Sequence, residues 1–183
     1  MALQRPRRRF TVTDYERMMT AGILTEGDDV ELVAGEIIEI SPIGVRHMQC
    51  VNRLNRILGR SVGAEMLVSI QNPIQLLPDS QPQPDLAILY DRRYDTIPAP
   101  SDVLLVIEVA DSSRDYDRGT KFPLYAAAGI AEAWLVDLGA GIVERHTEPD
   151  DGRYRFVAYA RLGETLISTV LPAITIPAEA ILG

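Results

Sequence analysis

The stretch "VLLVIEVA", Val103–Ala110, decides the fold. Seven of its eight residues are apolar, and half are valine or isoleucine. A strand covered by water on one face would alternate. A run apolar on both rows of side chains is what a strand buried on both faces requires, and such a strand sits in the middle of a sheet. Glu108 is the exception inside the run. An ionised carboxylate there is costly unless something pairs with it.

Working outward, "PDLAILY" at 84–90 reads as a second strand, and "DRRYDTIPAPSD" at 91–102 as a polar, proline-rich loop. Antiparallel pairing about the middle of that loop sets opposite one another residues whose numbers sum to 193. Asp85 and Glu108 are such a pair, with Cβ atoms about 5 Å apart. Adjacent carboxylates repel, and burial adds to the cost. A divalent cation relieves both, and oxygen is the donor that hard cations such as Mg²⁺ prefer. The other reading is that each acid is solvated at a strand end or paired with one of the seventeen arginines.

Downstream, "RDYDRGTKFPLY" at Arg114–Tyr125 holds Lys121, the only lysine of the chain. Two helix starts are open. With Thr120 as N-cap, Pro123 falls in the first turn, where proline is tolerated, and Lys121 sits at the end where the helix dipole disfavours a cation. With an earlier start, Pro123 interrupts the helix, and Asp117, Lys121 and Tyr125 fall at i, i+4 and i+8 on one face. Lys121 then either forms a surface pair with Asp117, worth a few tenths of a kcal/mol, or leans toward the carboxylates. There an ammonium can orient water and offset charge on a phosphoryl oxygen.

The flanking sequence completes a sheet. Thr13 as N-cap with Glu16 three residues on predicts a short helix ending near "TAG". "DDVELVAGEIIEIS" predicts a β-hairpin around Gly35. Met48, Val51, Leu54, Ile57 and Leu58 give the spacing of an amphipathic helix over 45–61. "MLVSIQ" and "PIQLL" read as strands. A helical segment closes at "AAAG" with Gly129 as C-cap. "EAWLVDL" is another buried strand, with Trp134 in the core. "GIVERHTE" and "YRFVAYAR" pair around "PDDG", with His146 facing solvent. "AEAIL" makes a last helical turn. The order predicts an α/β fold: a single domain over 11–183, a mixed central β-sheet flanked by helices, preceded by a flexible basic arm at 1–10.

Composition bounds the function. The 183 residues carry a net charge of −8. That argues against a generic nucleic-acid binder with a basic footprint, but does not exclude an enzyme that meets DNA through a local patch and a bridging metal. Arg7, Arg8, Arg9, Arg92, Arg93 and Arg114 are candidates for such a patch. Cys50 is the only cysteine, so there is no disulfide framework or cysteine zinc cluster, and a reducing, cytoplasmic setting fits. His47 lies three residues before Cys50, a helix-face spacing more than a catalytic pair. No apolar run reaches membrane-spanning length. No apolar segment of a secretory signal follows "MALQRPRRRF". No glycine-rich phosphate loop is present.

Taken in order, "DDVELVAGEIIEIS", "QPQPDLAIL" and "LLVIEVADSSRDYDRGTKFPLYAAAGIAEAWLVDL" resemble the Uma-type endonuclease family of the PD-(D/E)XK nuclease superfamily, over residues 10–182. The resemblance implies a restriction-endonuclease-like core and Mg²⁺- or Mn²⁺-dependent hydrolysis of DNA phosphodiester bonds. It implies Asp85 and Glu108 as metal ligands, joined by the Val109 carbonyl, Lys121 as catalytic lysine and Glu31 as a further acid. His47, Gln71 and Tyr125 are implied as pocket residues. A double-strand cutter needs two sites, so a homodimer is expected. The superfamily places its lysine two residues after the second acid, where this chain has Ala110; the resemblance therefore requires the lysine to act from the following helix. The rival expectation is a non-catalytic module of nuclease fold that binds DNA or protein.

Overall fold

The computed structural model describes residues 7–40 and 42–183. At its centre lies β5 (Val103–Ala110), paired antiparallel with β4 (Leu86–Tyr90) and parallel with β6 (Glu132–Asp137). The six-stranded sheet has the order β3 (Met66–Ile70), β4, β5, β6, β7 (Ile142–Asp150), β8 (Arg153–Arg161). Only the β5–β6 pair is parallel, so the sheet is mixed, as expected. Leu86, Ala87 and Ile88 stand opposite Ile107, Val106 and Leu105, the register read from the loop. The ladder then shifts between Ile88 and Leu89, at the end away from the acids.

β5 is covered on both faces. Leu105, Ile107 and Val109 pack with Cys50, Leu54 and Leu58 of α2 (Val45–Ser61) and Ile181 of α5 (Ala178–Leu182). Val103, Val106 and Ala110 pack with Phe122 and Tyr125 of α4 (Phe122–Ala127) and with Ile74. Each such large side chain contributes about 1.5–3 kcal/mol by leaving water. Trp134 is fully buried in the first of these clusters.

A parallel neighbour requires a crossover, and here it is helical: α3 (Arg114–Tyr116), a π turn over Asp117–Lys121, then α4. The helix therefore starts before Thr120. Pro123 has no N–H to give, and the five-residue turn absorbs the break this makes in the i→i+4 ladder. Gly129 (φ 78°) closes α4, with its own N–H on the Ala126 carbonyl (3.0 Å) and that of Ile130 on the Tyr125 carbonyl (3.0 Å).

A separate hairpin of β1 (Val30–Val33) and β2 (Glu36–Glu39) turns through Ala34 and Gly35, both left-handed (φ 49° and 78°), the geometry of a two-residue hairpin turn. It docks on the segment before β4, where the Gln81 N–H donates to the Leu32 carbonyl and the Gly35 N–H to that of Asp79 (both 2.7 Å). α1 (Val12–Thr20) packs Val12 and Tyr15 against Leu32.

Three local expectations are corrected. The α1 cap is Thr11 with Asp14, not Thr13 with Glu16; Thr11 has the extended backbone that a cap needs. "PIQLL" joins no sheet. Leu76 and Ser80 exchange main-chain hydrogen bonds in a tight loop, and Gln75 donates to Pro98, so these groups are not free for a ladder. His146 is not solvent-facing: it is 7% exposed, 2.9 Å from the Glu144 carboxylate and edge-on to Phe122 at 4.7 Å. α4 covers this part of β7, so alternation along the strand does not alternate with water. Of the basic arm, residues 1–6 lie outside the described residues. Arg7 pairs with Glu36, and the Phe10 N–H donates to the Gly35 carbonyl.

Glu132, at the start of β6, has no exposed surface. It accepts hydrogen bonds from Trp134 Nε1 (2.6 Å), the Thr169 N–H (2.7 Å) and hydroxyl, and the Val170 N–H (3.2 Å). It thereby ties the sheet to the segment after β9 (Thr165–Ile167). Glu132→Ala strands these donors and is expected to cost about 3 kcal/mol or more in urea unfolding.

Candidate active site

Three elements bring carboxylates to one end of the sheet. Glu108 lies near the end of β5, one step beyond the Leu86–Ile107 pair, and Asp85 immediately precedes β4. The Val109 N–H donates to Asp85 Oδ2 (2.8 Å), which holds the aspartate beside the strand end. Glu31 comes from β1, and its Oε2 accepts from the Gln83 N–H (2.9 Å).

Lys121 enters from the π turn. Its Nζ lies 3.2 Å from Glu31 Oε2, 3.4 Å from Glu108 Oε1 and 3.4 Å from the Gln83 carbonyl oxygen. The Asp117–Lys121 surface pair does not occur. Both residues are buried, and Asp117 accepts from the Ser113 hydroxyl (2.6 Å). The Tyr125 hydroxyl donates to Glu108 Oε1 (2.5 Å). His47, in the first turn of α2, places Nε2 2.9 Å from Asp85 Oδ1.

The structure thus gathers Asp85, Glu108, Lys121, Glu31, His47 and Tyr125. Gln71 differs. Its N–H donates to the Asp85 carbonyl (3.1 Å) from a left-handed backbone (φ 49°), but its side chain is exposed. Cys50 is spent on the core, its Sγ 3.5 Å from the Ile181 carbonyl, and burial pushes the thiol up to about 11. Tyr116 borders the cluster and was not readable. Its hydroxyl is buried without a partner. It precedes Lys121 by five residues, off the lysine's face in an α-helix but aligned with it through a π turn. Burial and then Glu31 push its hydroxyl up to about 12.

Glu31 and Glu108 thus flank the ammonium, with Asp117 and Asp85 in the same cluster. Burial pushes Glu108 up to about 8; Lys121 opposes this, while Asp85 and Asp117 reinforce it. Burial also raises Asp117, against its Ser113 hydrogen bond. Burial works against the Lys121 ammonium, yet Glu108, Glu31 and Asp117 outweigh it and hold its pKa above the ordinary lysine value. The hydrogen bond to Asp85 raises His47 against the effect of burial.

The Uma2 family, described as "Putative restriction endonuclease", matches the chain over residues 12–179. The chain belongs to this family. A crystal structure from Anabaena variabilis ATCC 29413, described as a "putative nuclease belonging to DUF820", shares the fold of this Uma2 protein. The TM-score is 0.73 at 11% identity, over 94% of this chain and 97% of that one. No curated protein matches the chain.

Restriction-endonuclease-like families generally use divalent metals, and the donors of this Uma2 site fit one. The candidate ligands are all oxygens, the type Mg²⁺ takes. Glu108 Oε1 is engaged by Tyr125 and Lys121, whereas Oε2 has no hydrogen-bond partner among the described residues. Burial, reinforced by Asp85 and Asp117, favours a proton on Glu108, and a bound cation would favour the carboxylate instead. Among the described residues no three His, Cys, Asp or Glu side chains form a ready metal cage. A hard cation bound by so few side chains would draw the rest of its shell from main-chain oxygen and water, as Mg²⁺ commonly accepts.

Glu108 binds its proton more tightly in the folded chain than unfolded. The stability this confers is complete below the ordinary glutamate pKa and is lost as pH rises through about 8. Metal-free protein in EDTA is therefore expected to unfold at lower temperature as pH rises across that window. Glu108→Gln should flatten the slope; an unchanged slope would place the proton elsewhere.

Proposed function

We propose that this Uma2 protein is a metal-dependent endonuclease that hydrolyses phosphodiester bonds in DNA. The observation that carries the reading is the placement of the only lysine. A buried ammonium from the crossover helix faces Glu108 and Glu31, beside Asp85. Asp85, Glu108 and the Val109 carbonyl would hold Mg²⁺ or Mn²⁺, which supplies an activated water and neutralises phosphate charge when bound. Lys121 donates to water or to a non-bridging phosphate oxygen as charge develops. Glu31 keeps Lys121 charged and aimed. Tyr125 fixes the rotation of the Glu108 carboxylate through Oε1. His47 does the same for Asp85 through Oδ1. Cutting both strands takes two such sites, so a homodimer belongs to the proposal. The free, buried thiol of Cys50 suits a reducing cytoplasm. Among the described residues no helix is long and apolar enough to cross a membrane.

A second reading, a non-catalytic nuclease-fold module for DNA or protein interaction, is favoured by one observation. Lys121 Nζ already lies within ion-pair distance of Glu31 and Glu108, so the ammonium is occupied without a phosphate.

Plasmid nicking with Mg²⁺ or Mn²⁺ separates the two. The wild type is expected to cut, and Asp85→Ala, Glu108→Ala and Lys121→Ala to lose about 10²-fold or more. Lys121→Arg should not restore the rate, because a planar guanidinium does not replace a compact ammonium. Circular dichroism checks that each variant folds. A wild type that neither cuts nor gives heat on metal titration supports the module.

A further inference from the structure

The residues from 40 to 64 contain no acid in a chain of net charge −8, yet they hold four of its arginines. All four lie on α2, at 46, 53, 56 and 60. With Gln49 they are spaced three, four, three and four apart, the spacing of a single stripe along a helix. The stripe is about 21 Å long at 1.5 Å per residue. It does not overlap the core face, which uses Cys50, Val51, Leu54 and Leu58.

The arginines differ in state. Arg46 donates to Asp111 (2.8 Å) and to the Leu138 carbonyl (2.7 Å). Arg53 donates to the carbonyls of Ile181 (3.0 Å) and Leu182 (2.9 Å). A guanidinium has five N–H donors, so each is held in place with three still available. Arg56 and Arg60 are exposed, with no ion-pair partner among the described residues. A groove of about 380 Å³ runs beside the stripe, lined by Arg46, Gln49, Arg53, Leu138 and Leu162 among others. Arg7, Arg92, Arg93 and Arg114, read from sequence as part of a DNA-facing patch, each pair with an acid, as Arg46 does, whereas Arg53, Arg56 and Arg60 pair with none among the described residues.

We infer that this flank of α2 is the docking surface for the phosphate backbone of duplex DNA. The inference rests on the nuclease reading for the choice of DNA. Position supports it: Arg46 adjoins His47, which touches Asp85, so the stripe begins at the candidate site and leads away from it. Its length matches about six base-pair steps at 3.4 Å each. A membrane surface fits less well. A helix lying on lipid needs a continuous free apolar face; in α2 Val51, Leu54 and Leu58 are committed to the core, which leaves Val45 and Met48 exposed in its first turns.

The test is binding of a labelled duplex of arbitrary sequence in EDTA, where cleavage does not enter, across a salt series. Wild type is expected to bind with an affinity that falls steeply with salt. Arg56→Gln/Arg60→Gln, which touches neither the core nor the site, should bind more weakly, with a log–log salt slope shallower by about 2. Arg153→Gln/Arg155→Gln removes the same charge from β8 and should change the slope much less. Absence of duplex binding, an unaltered slope in the α2 variant, or an equal change in the β8 variant each overturns the surface. Cleavage that survives with an unaltered slope sinks the surface and leaves the nuclease. A slope that falls as expected in a protein that never cuts sinks the nuclease and leaves the surface.

Discussion

An ammonium that is 7% exposed persists only where acceptors surround it, and Lys121 has three: Glu31, Glu108 and the Gln83 carbonyl. These acceptors come from the hairpin, the central strand and the segment before β4. The donor comes from the crossover that makes β6 parallel to β5. One charged contact therefore ties the hairpin, the crossover and the segment before β4 to the central strand. Removing any partner leaves a buried charge uncompensated, which is more costly than never having buried the group.

The same geometry explains why a chain that otherwise uses arginine has a lysine here. An ammonium carries three donors around one atom and meets three acceptors converging on one point. A guanidinium spreads five donors across a plane and would need the carboxylates side by side in that plane. Glu31 and Glu108 approach from different elements, and the carbonyl from a third. The site has room for a point charge and not for a fork.

Much of this was legible because periodicity and register are local properties of the chain. The unbroken apolar run at 103–110 identified the central strand, and the loop after β4 fixed the pairing that sets Asp85 beside Glu108. The spacing of Val51, Leu54 and Leu58 identified α2 over 45–61. What failed depended on tertiary cover or on a departure from standard geometry. His146 alternates as an exposed residue would, and only the packing of α4 over β7 buries it. "PIQLL" has strand composition, but its hydrogen bonds close a loop. Tyr116 was invisible because a π turn has no pattern of its own in sequence. Pro123 marked the break without saying whether the helix starts there or bulges.

The acidity of the chain and the reading of its site as one that meets a polyanion are reconciled by where the charges lie. Glu31, Asp85, Glu108 and Asp117 concentrate negative potential in one place, where Asp85 adds to the cost of ionising Glu108 and Asp117, and Lys121 opposes it. Left so, the cluster would repel a phosphate. A hard cation held there would invert the local sign, and the acid-free run of α2 carries a row of arginines that begins one residue from His47. Net charge averages the two regions and describes neither. Over distances beyond about 10 Å, salt screens one region from the other. On the nuclease reading, an approaching phosphate would respond to the stripe or to the site in turn, and not to the −8 of the whole chain.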